Sequence, residues 1–203
     1  MTERRHRPFL IAAVSSAVTA VLLIAAGAVA YRLWVATPEW QRDAESIPDI
    51  VSARNRPAMV HPNHLQGRLA YPDSPPMGGD HNPVWQRCTG IVYAQPPADE
   101  HAVHSLEHGA IWITYRPDLP AAEVEQLARR VRGQDYMLMS PYPGLRRPVS
   151  LQAWGYQLMV DSPADARIDR FVSALRSHAA REQYAPCDEG TLAEGAAAVR
   201  ELG

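Results

Sequence analysis

The sequence lacks an excess of charge of either sign. It has 20 basic and 22 acidic residues, for a formal net charge of -2, and because it contains no lysine, arginine carries all of the positive side-chain charge. A protein that binds nucleic acid concentrates positive charge on one face, and this composition provides no surplus for such a face. We therefore expect no nucleic-acid partner. The absence of lysine by itself points to no mechanism.

Phenylalanine and cysteine are also scarce, with two residues of each among 203. The 18 prolines, set against so few phenylalanines, predict a loop-rich protein whose aromatic residues are mainly Trp and Tyr. No internal repeat is present. At this length, with 46% hydrophobic residues, we expect one domain of about 120 to 150 residues together with additional segments.

The one long apolar run lies near the N-terminus. Residues 8–31 carry no charge, and a helix of this length crosses a bilayer of about 30 Å. The basic flank at residues 1–7 predicts a cytoplasmic N-terminus, a single-pass signal anchor in the cell membrane, and an extracytoplasmic location for the rest of the chain. The A-x-A sequence at Ala28–Ala30 leaves a cleavable signal peptide as the alternative. In both cases we expect the rest of the chain to be exported. The partner predicted for residues 8–31 is the lipid bilayer.

The remainder of the chain divides into three segments. Residues 32–56, interrupted by Pro38 and Pro48, predict a juxtamembrane linker. Residues 57–187 form the predicted extracytoplasmic domain. Residues 188–203 predict a C-terminal surface helix or tail.

Hydrophobic periodicity predicts an α+β fold for the domain. The predicted strands lie at 91–93, 110–115, 136–140, 149–154 and 156–160, and the predicted helices lie at 98–108, at 121–132 and from 163 onward. Adjacent strands mixed with two long helices are typical of a mostly antiparallel or mixed sheet with helices packed on one face. We expect residues 111–115 to form a central strand.

Two histidines four residues apart, His104 and His108, precede this central strand. On a helix they lie on one face about one turn apart, a spacing suited to two ligands of one metal ion. With Glu107 the segment also reads H-x-x-E-H, the inverted zinc-peptidase pattern in which the glutamate activates water. The alternative is structural: a helix that ends at Gly109, with the histidines capping its last carbonyl groups.

A further histidine, His81, lies in the proline- and glycine-rich segment at residues 57–87. Turn residues surround it, and the glycines at 78–79 allow close backbone approach, so the segment predicts a binding loop, with an ordinary polar surface turn as the alternative. Met77 is a candidate soft ligand because it lies four residues before His81. Three further histidines are weaker candidates and are expected to be solvated: His61 and His64 in the same segment, and His101 in the helix predicted at 98–108.

The two cysteines, Cys88 and Cys187, both lie in the part of the chain predicted to be exported. In an oxidising compartment they predict one disulfide that closes a loop of about 100 residues. The alternative is that Cys88, which is close in sequence to His81, serves as a thiolate metal ligand.

Several separated motifs follow one another along residues 60–187. They are His81-Asn82-Pro83, Trp85, Cys88, the run His104 to Gly109, and Ser140-Pro141-Tyr142-Pro143. With these motifs in this order, the chain resembles the bacterial family catalogued as domain of unknown function 3105. The resemblance implies an anchored or secreted protein and carries no established activity.

The first functional hypothesis is binding of a transition metal, copper or zinc, in an extracytoplasmic domain. His81, His104 and His108 are the predicted ligands, and Met77 is the candidate fourth. Glu107 is expected to orient a ligating imidazole from behind. No catalytic residue is assigned under this hypothesis.

Two other hypotheses remain open. In a zinc hydrolase, His104 and His108 would hold the ion, Glu107 would be the general base, and Glu182 or Glu189 would supply the third ligand. The short helix predicted before Gly109 argues against it. In a non-catalytic interaction module or accessory subunit of a membrane or envelope complex, the histidines would be structural. The sequence favours metal binding without catalysis.

Overall fold

The computed structural model of the chain describes residues 7–200, and the chain divides between Glu39 and Trp40 into two compact units. The first unit is a helix, α1 (Arg7–Ala36). Among the described residues no single helix meets the length and hydropathy of a membrane span, although Val21–Ala36 and Glu39–Glu45 meet them together as a bent pair. The span predicted at 8–31 is therefore not supported by this finding. Of the predicted cytoplasmic flank, residues 1–6 lie outside the described residues.

The second unit is built on a six-stranded mixed sheet, which confirms the predicted α+β class. The elements after α1 are α2 (Glu39–Glu45), β1 (Val51–Ser52), α3 (Pro57–Val60), β2 (Thr89–Val92), α4 (Asp99–Glu107), β3 (Ile111–Tyr115), α5 (Ala121–Val131), β4 (Met137–Pro141), β5 (Val149–Ala153), β6 (Tyr156–Val160), α6 (Arg167–Leu175) and α7 (Ala196–Arg200). The strand order in the sheet is β1-β6-β5-β3-β4-β2, with β3 parallel to β4, β4 parallel to β2, and the other pairs antiparallel.

Helices cover both faces of the sheet, not one face as predicted. Neighbouring residues of a strand point to opposite faces. Ile111 and Ile113 of β3 lie in a core cluster with residues of α5 and α6, whereas Trp112 lies in a second cluster with residues of α4. Because β3 is central and buried on both faces, its three consecutive residues Ile111, Trp112 and Ile113 are all apolar, and the buried Thr114 that follows donates its hydroxyl to the carbonyl of Ser150.

The segment at 32–56, predicted to be a linker, is folded from Trp40 onward. Ala44 and Ile47 are buried in the core cluster that holds α5 and α6, and β1 pairs antiparallel with β6. The C-terminal segment is also tied to the unit. The backbone N–H of Thr191 donates to Trp85, and the carbonyl of Thr191 accepts from Arg87, both at 2.9 Å.

The predicted disulfide between Cys88 and Cys187 is confirmed. Both residues are buried, and the backbone N–H of Cys88 also donates to the carbonyl of Cys187 at 3.0 Å. The alternative in which Cys88 is a metal-binding thiolate is therefore wrong, because its sulfur is already bonded. The link fixes the segment after α6 against the chain that leads into β2.

The long loop between α3 and β2 is held by hydrogen bonds between its own two arms. The N–H of His81 donates to the carbonyl of Asn63 at 3.0 Å, and the carbonyl of His81 accepts from Leu65 at 2.8 Å. The Tyr71 hydroxyl donates to the carbonyl of Asp80 at 2.7 Å. These bonds place His64 and His81 side by side above α4.

Candidate metal centre

Helix α4 brings the first two histidines together. Asp99 and Glu100 lie in its first turn, where acidic side chains are favourable, and the helix stops before Gly109, whose φ of 98° reverses the chain into β3. The rings of His104 and His108 are 4.6 Å apart between centroids. The two imidazoles are adjacent, as the four-residue spacing requires.

Four side chains from α4 and the long loop converge on one point, and we call them the inner set: His64, His81, His104 and Glu107. Each offers a ligand atom, and these atoms all lie within 4.8 Å of one another. His64 was expected to be solvated, but its ring lies 4.7 Å from that of His81 while its side chain remains 47% exposed. Glu107, expected behind the ligands, offers its carboxylate as one of them.

A second group, the outer set, shares one histidine with the first: His104, His108 and Glu182. Its ligand atoms also lie within 4.8 Å of one another. The distance from His108 Nε2 to Glu182 Oε2 is 3.8 Å. The N–H groups of Arg181 and Glu182 donate to the carbonyl of Glu107, at 2.9 and 3.1 Å, which holds this segment against the end of α4. His108, predicted beside His81 in one site, belongs to this second group.

The remaining candidates lie elsewhere. Met77 is buried in the hydrophobic cluster on the α4 face of the sheet. Glu189 belongs to neither of these two sets. His61 is exposed, as predicted, whereas His101 is buried rather than solvated.

Backbone carbonyl groups fix the tautomer of three imidazoles. The Nδ1 atoms of His81, His104 and His108 lie 2.8, 2.7 and 2.8 Å from the carbonyl oxygens of Gly79, Asn82 and Pro186, respectively. A carbonyl only accepts, so each Nδ1 carries a proton and donates it. Each ring, when neutral, therefore keeps its lone pair on Nε2. Hydrogen bonds of this kind to Nδ1 orient the histidine ligands of metal sites.

Within the inner set, the Nε2 lone pair of a neutral His81 faces the carboxylate of Glu107. His81 Nε2 lies 2.9 Å from Glu107 Oε2, and both atoms are buried without a hydrogen-bond partner among the described residues. A lone pair facing a carboxylate at this distance is repulsive unless a proton or a cation lies between them. The site is therefore shaped to receive positive charge.

Burial favours the neutral forms of His104 and His108, and the surroundings of Glu107 favour its ionised form. Burial, reinforced by the neighbouring His81, lowers the pKa of His104 to about 3, and burial also lowers the pKa of His108. Burial alone would raise the pKa of Glu107, but its interactions with the protonated forms of the neighbouring histidines, His81 foremost, outweigh burial and lower that pKa. Neutral imidazole and carboxylate are the forms that bind metal ions.

Two tryptophan rings border the site. The Trp85 ring lies 5.6 Å from that of His104 and 4.9 Å from that of His108. The Trp154 ring lies 5.8 Å from that of His81, at the other end of the cluster. Gly190 allows the fit of Trp85, because a Cβ there would lie 2.5 Å from the indole. These apolar walls limit water around the ligands and strengthen the interactions inside.

A family model, "Protein of unknown function (DUF3105)", matches residues 64–189. The chain belongs to this family. The resemblance predicted from the motifs is thereby confirmed, and every member of the inner and outer sets lies within the matched residues. No curated protein and no solved structure shows significant similarity to the chain.

Proposed function

We propose that this protein binds one transition-metal ion, copper or zinc, at the inner set. The observation that carries the proposal is the buried pair of His81 Nε2 and Glu107 Oε2, which lie 2.9 Å apart, each without a hydrogen-bond partner among the described residues, and which are both acceptors when His81 is neutral. A divalent cation between them turns the repulsion into two bonds. His104, with its Nδ1 proton already donated to Asn82, supplies a further lone pair.

The spacing of the ligand atoms supports a small ion. Zinc binds histidine nitrogen and carboxylate oxygen at about 2.0 to 2.1 Å, which puts tetrahedral ligands about 3.3 Å from one another. From Glu107 Oε2, the distances to the Nε2 atoms of His81 and His64 are 2.9 and 3.8 Å, on either side of that value. Shifts of about half an ångström or less would bring these two distances to the tetrahedral value.

The donor set indicates the class of ion. Three imidazoles and one carboxylate suit Zn(II) and Cu(II), whereas Cu(I) favours sulfur ligands. Both cysteine sulfurs are joined in the disulfide, and Met77 lies in the hydrophobic cluster. We therefore expect the divalent ions to bind more tightly than Cu(I).

Metal titration of the full chain, purified with detergent, tests the proposal. We expect one Zn(II) or one Cu(II) per chain, competed by a chelator of known affinity, and a loss of at least 100-fold in affinity in the His81→Ala, His104→Ala double variant. His61→Ala is the matched control, because it removes an exposed imidazole outside both sets. Binding that is unchanged in the double variant would overturn the proposal.

One observation favours a second function, hydrolysis. The carboxylate of Glu182 lies near His104 and His108, so the two histidines of the H-x-x-E-H motif have a third candidate ligand from downstream in the chain. Glu107, the candidate general base, is part of the same motif. Against it, α4 has only nine residues and ends at the motif. In a zinc hydrolase, peptide cleavage would be lost in Glu107→Gln and retained in His64→Ala, which changes only the inner set. A metal-binding protein without hydrolase activity cleaves no peptide in either form.

We further propose that residues 8–31 anchor the chain and that the metal site faces an extracytoplasmic compartment. The uncharged run and the disulfide support this location, since disulfides persist in oxidising compartments. The convergence of His64, His81 and His104 supports metal binding over an interaction module with scattered structural histidines.

A further inference from the structure

The inner and outer sets share His104, and this residue has one available lone pair. Its Nδ1 proton is donated to the carbonyl of Asn82 at 2.7 Å, so only Nε2 is free to bind a metal ion. One nitrogen lone pair serves one ion at a time. The two sets are therefore alternative coordination spheres for a single ion.

We infer that the metal ion passes between the two sets by exchanging ligands around His104, with the outer set loading and unloading the inner one. This inference rests on the proposed function. It makes the ion an exchangeable cargo, taken from or given to histidine, carboxylate or small chelating ligands outside the protein, and not a permanent structural component.

The exposure of the two carboxylates, Glu182 and Glu107, indicates which set an ion from solvent contacts first. The Glu182 side chain is 51% exposed, whereas the Glu107 side chain is 4% exposed. His108 borders a cavity of about 480 Å³ whose rim includes Gln183 and Tyr184, the two residues that follow Glu182. Tyr184 is 93% exposed. The outer set is thus the one that incoming ligands reach through this cavity.

The two sets contain the same number of carboxylates, which keeps the exchange feasible. Each set contains one, Glu107 in the inner set and Glu182 in the outer set. As the ion moves inward, Glu182 and His108 dissociate from it while His81, His64 and Glu107 bind, and His104 stays bound. No electron is transferred, and the carboxylate charge facing the ion is the same before and after.

The partly exposed His64 defines the competing route. Because its side chain is 47% exposed, an ion could reach the inner set directly at His64 without contacting the outer set. If the ion loads through the outer set, substitutions in that set slow loading and His64→Ala does not. If the ion loads directly at His64, His64→Ala slows loading and substitutions in the outer set do not.

Stopped-flow fluorescence with Cu(II) separates the routes, because Trp85 lies against the outer set and Trp154 against His81. Bound Cu(II) quenches nearby indoles. We expect fast quenching of Trp85 followed by slower quenching of Trp154, assigned with Trp85→Phe and Trp154→Phe. The stoichiometry should be one ion per chain.

Substitutions in the outer set should change rates and leave affinity nearly unchanged. Glu182→Gln and His108→Ala should slow both Cu(II) loading and its removal by EDTA at least tenfold, with less than a threefold change in Kd. Glu189→Gln and His178→Ala are the matched controls, since His178 borders the same cavity but belongs to neither set. His64→Ala should weaken affinity and leave loading fast.

Three results would overturn the inference. Two ions per chain would mean that the sets are independent sites. Normal affinity with unchanged rates in Glu182→Gln would mean direct loading at His64, and because Glu182 is at the surface, misfolding would not explain that result. Absence of any binding in the unsubstituted chain would remove the proposed function itself, and this exchange with it.

Discussion

At the scale of single residues, the backbone decides what each histidine can do. The carbonyls of Gly79, Asn82 and Pro186 hold the Nδ1 protons of three imidazoles and leave Nε2 free. The types of residue at these positions are visible in the sequence, which predicts His81 and His104 as ligands and Glu107 as a group that orients a ligand. The carbonyl partners of the imidazoles, and His64 as a ligand, were not predicted, because both depend on where a long loop folds.

The His81 and Glu107 pair makes a prediction for the metal-free protein. In Glu107→Gln the amide would donate to His81 Nε2, replacing two opposed acceptors with a hydrogen bond. We expect the metal-free variant to be more stable than the unsubstituted chain by about 1 kcal/mol, while its metal affinity falls. Urea denaturation with chelator present measures this. Glu182→Gln, at an exposed site, should show no change. A destabilised Glu107→Gln would mean that His81 is protonated and paired with the carboxylate.

Asp99 gives a prediction for the pH dependence of stability. Burial raises the pKa of its carboxyl to about 6, despite a hydrogen bond from Tyr142 at 3.1 Å. The pKa of Asp99 in the folded protein lies above its value of about 3.8 in the unfolded chain, so the folded state binds more protons. The free energy of unfolding therefore falls as the pH rises from about 4 through 6. Asp99→Asn removes that loss.

Asp99→Asn and the unsubstituted chain should therefore have similar stability at pH 4, and the variant should be more stable at pH 7 by about 2 kcal/mol. Chemical denaturation at both pH values measures the difference. Asp161→Asn, whose side chain is 71% exposed in the unsubstituted chain, is the control and should follow the unsubstituted chain at both pH values. Parallel pH profiles for Asp99→Asn and the unsubstituted chain would contradict the prediction.

At the scale of elements, the end of α4 positions both the site and the segment that follows α6. The carbonyl of Gly109 accepts from Ser177 at 2.9 Å, and that of Glu107 accepts from Arg181. A Cβ at Gly109 would lie 2.9 Å from that of Ala180, and its φ is 98°. Glycine is required here by both conformation and space.

Gly109→Ala should therefore destabilise the protein by at least about 2 kcal/mol, from the left-handed conformation together with the close contact. Gly133→Ala is the matched control: its φ is also positive, at 69°, but nothing lies within 4 Å of a Cβ there. Thermal denaturation should show a clearly smaller loss for Gly133→Ala. Equal losses would mean that the contact with Ala180 contributes nothing.

The elements themselves were largely predictable. The expected helix at 98–108 is observed at Asp99–Glu107, and the expected strand at 110–115 is observed at Ile111–Tyr115, because glycine, proline and apolar periodicity mark their ends. The order of strands was not predictable, since β2 lies at the sheet edge beyond β4 through long-range pairing. The structure of residues 40–52 was missed because Pro48 and the short apolar pattern resemble a linker.

At the scale of the whole molecule, the disulfide connects residues 99 positions apart. A loop of that length contributes about 4 to 5 kcal/mol by the chain-entropy estimate. The Cys88→Ser, Cys187→Ser double variant should lose roughly this amount in urea denaturation. The rate at which this variant exchanges Cu(II) should change more than its affinity for Cu(II). The reason is that Pro186, whose carbonyl orients His108, is adjacent to residue 187, which the disulfide no longer holds. A variant with unchanged exchange would show that hydrogen bonds alone hold this segment.

The position of the disulfide also orders events during synthesis. The inner ligands lie between residues 64 and 107, so a ribosome completes them well before it adds Glu182, Pro186 and Cys187. A nascent chain therefore has the residues of the inner set before it has Glu182, and the disulfide can form only after Cys187 has been added. Under the proposed exchange, a chain that still lacks the outer set would load and release the ion slowly, so rapid exchange would begin only with the completed chain.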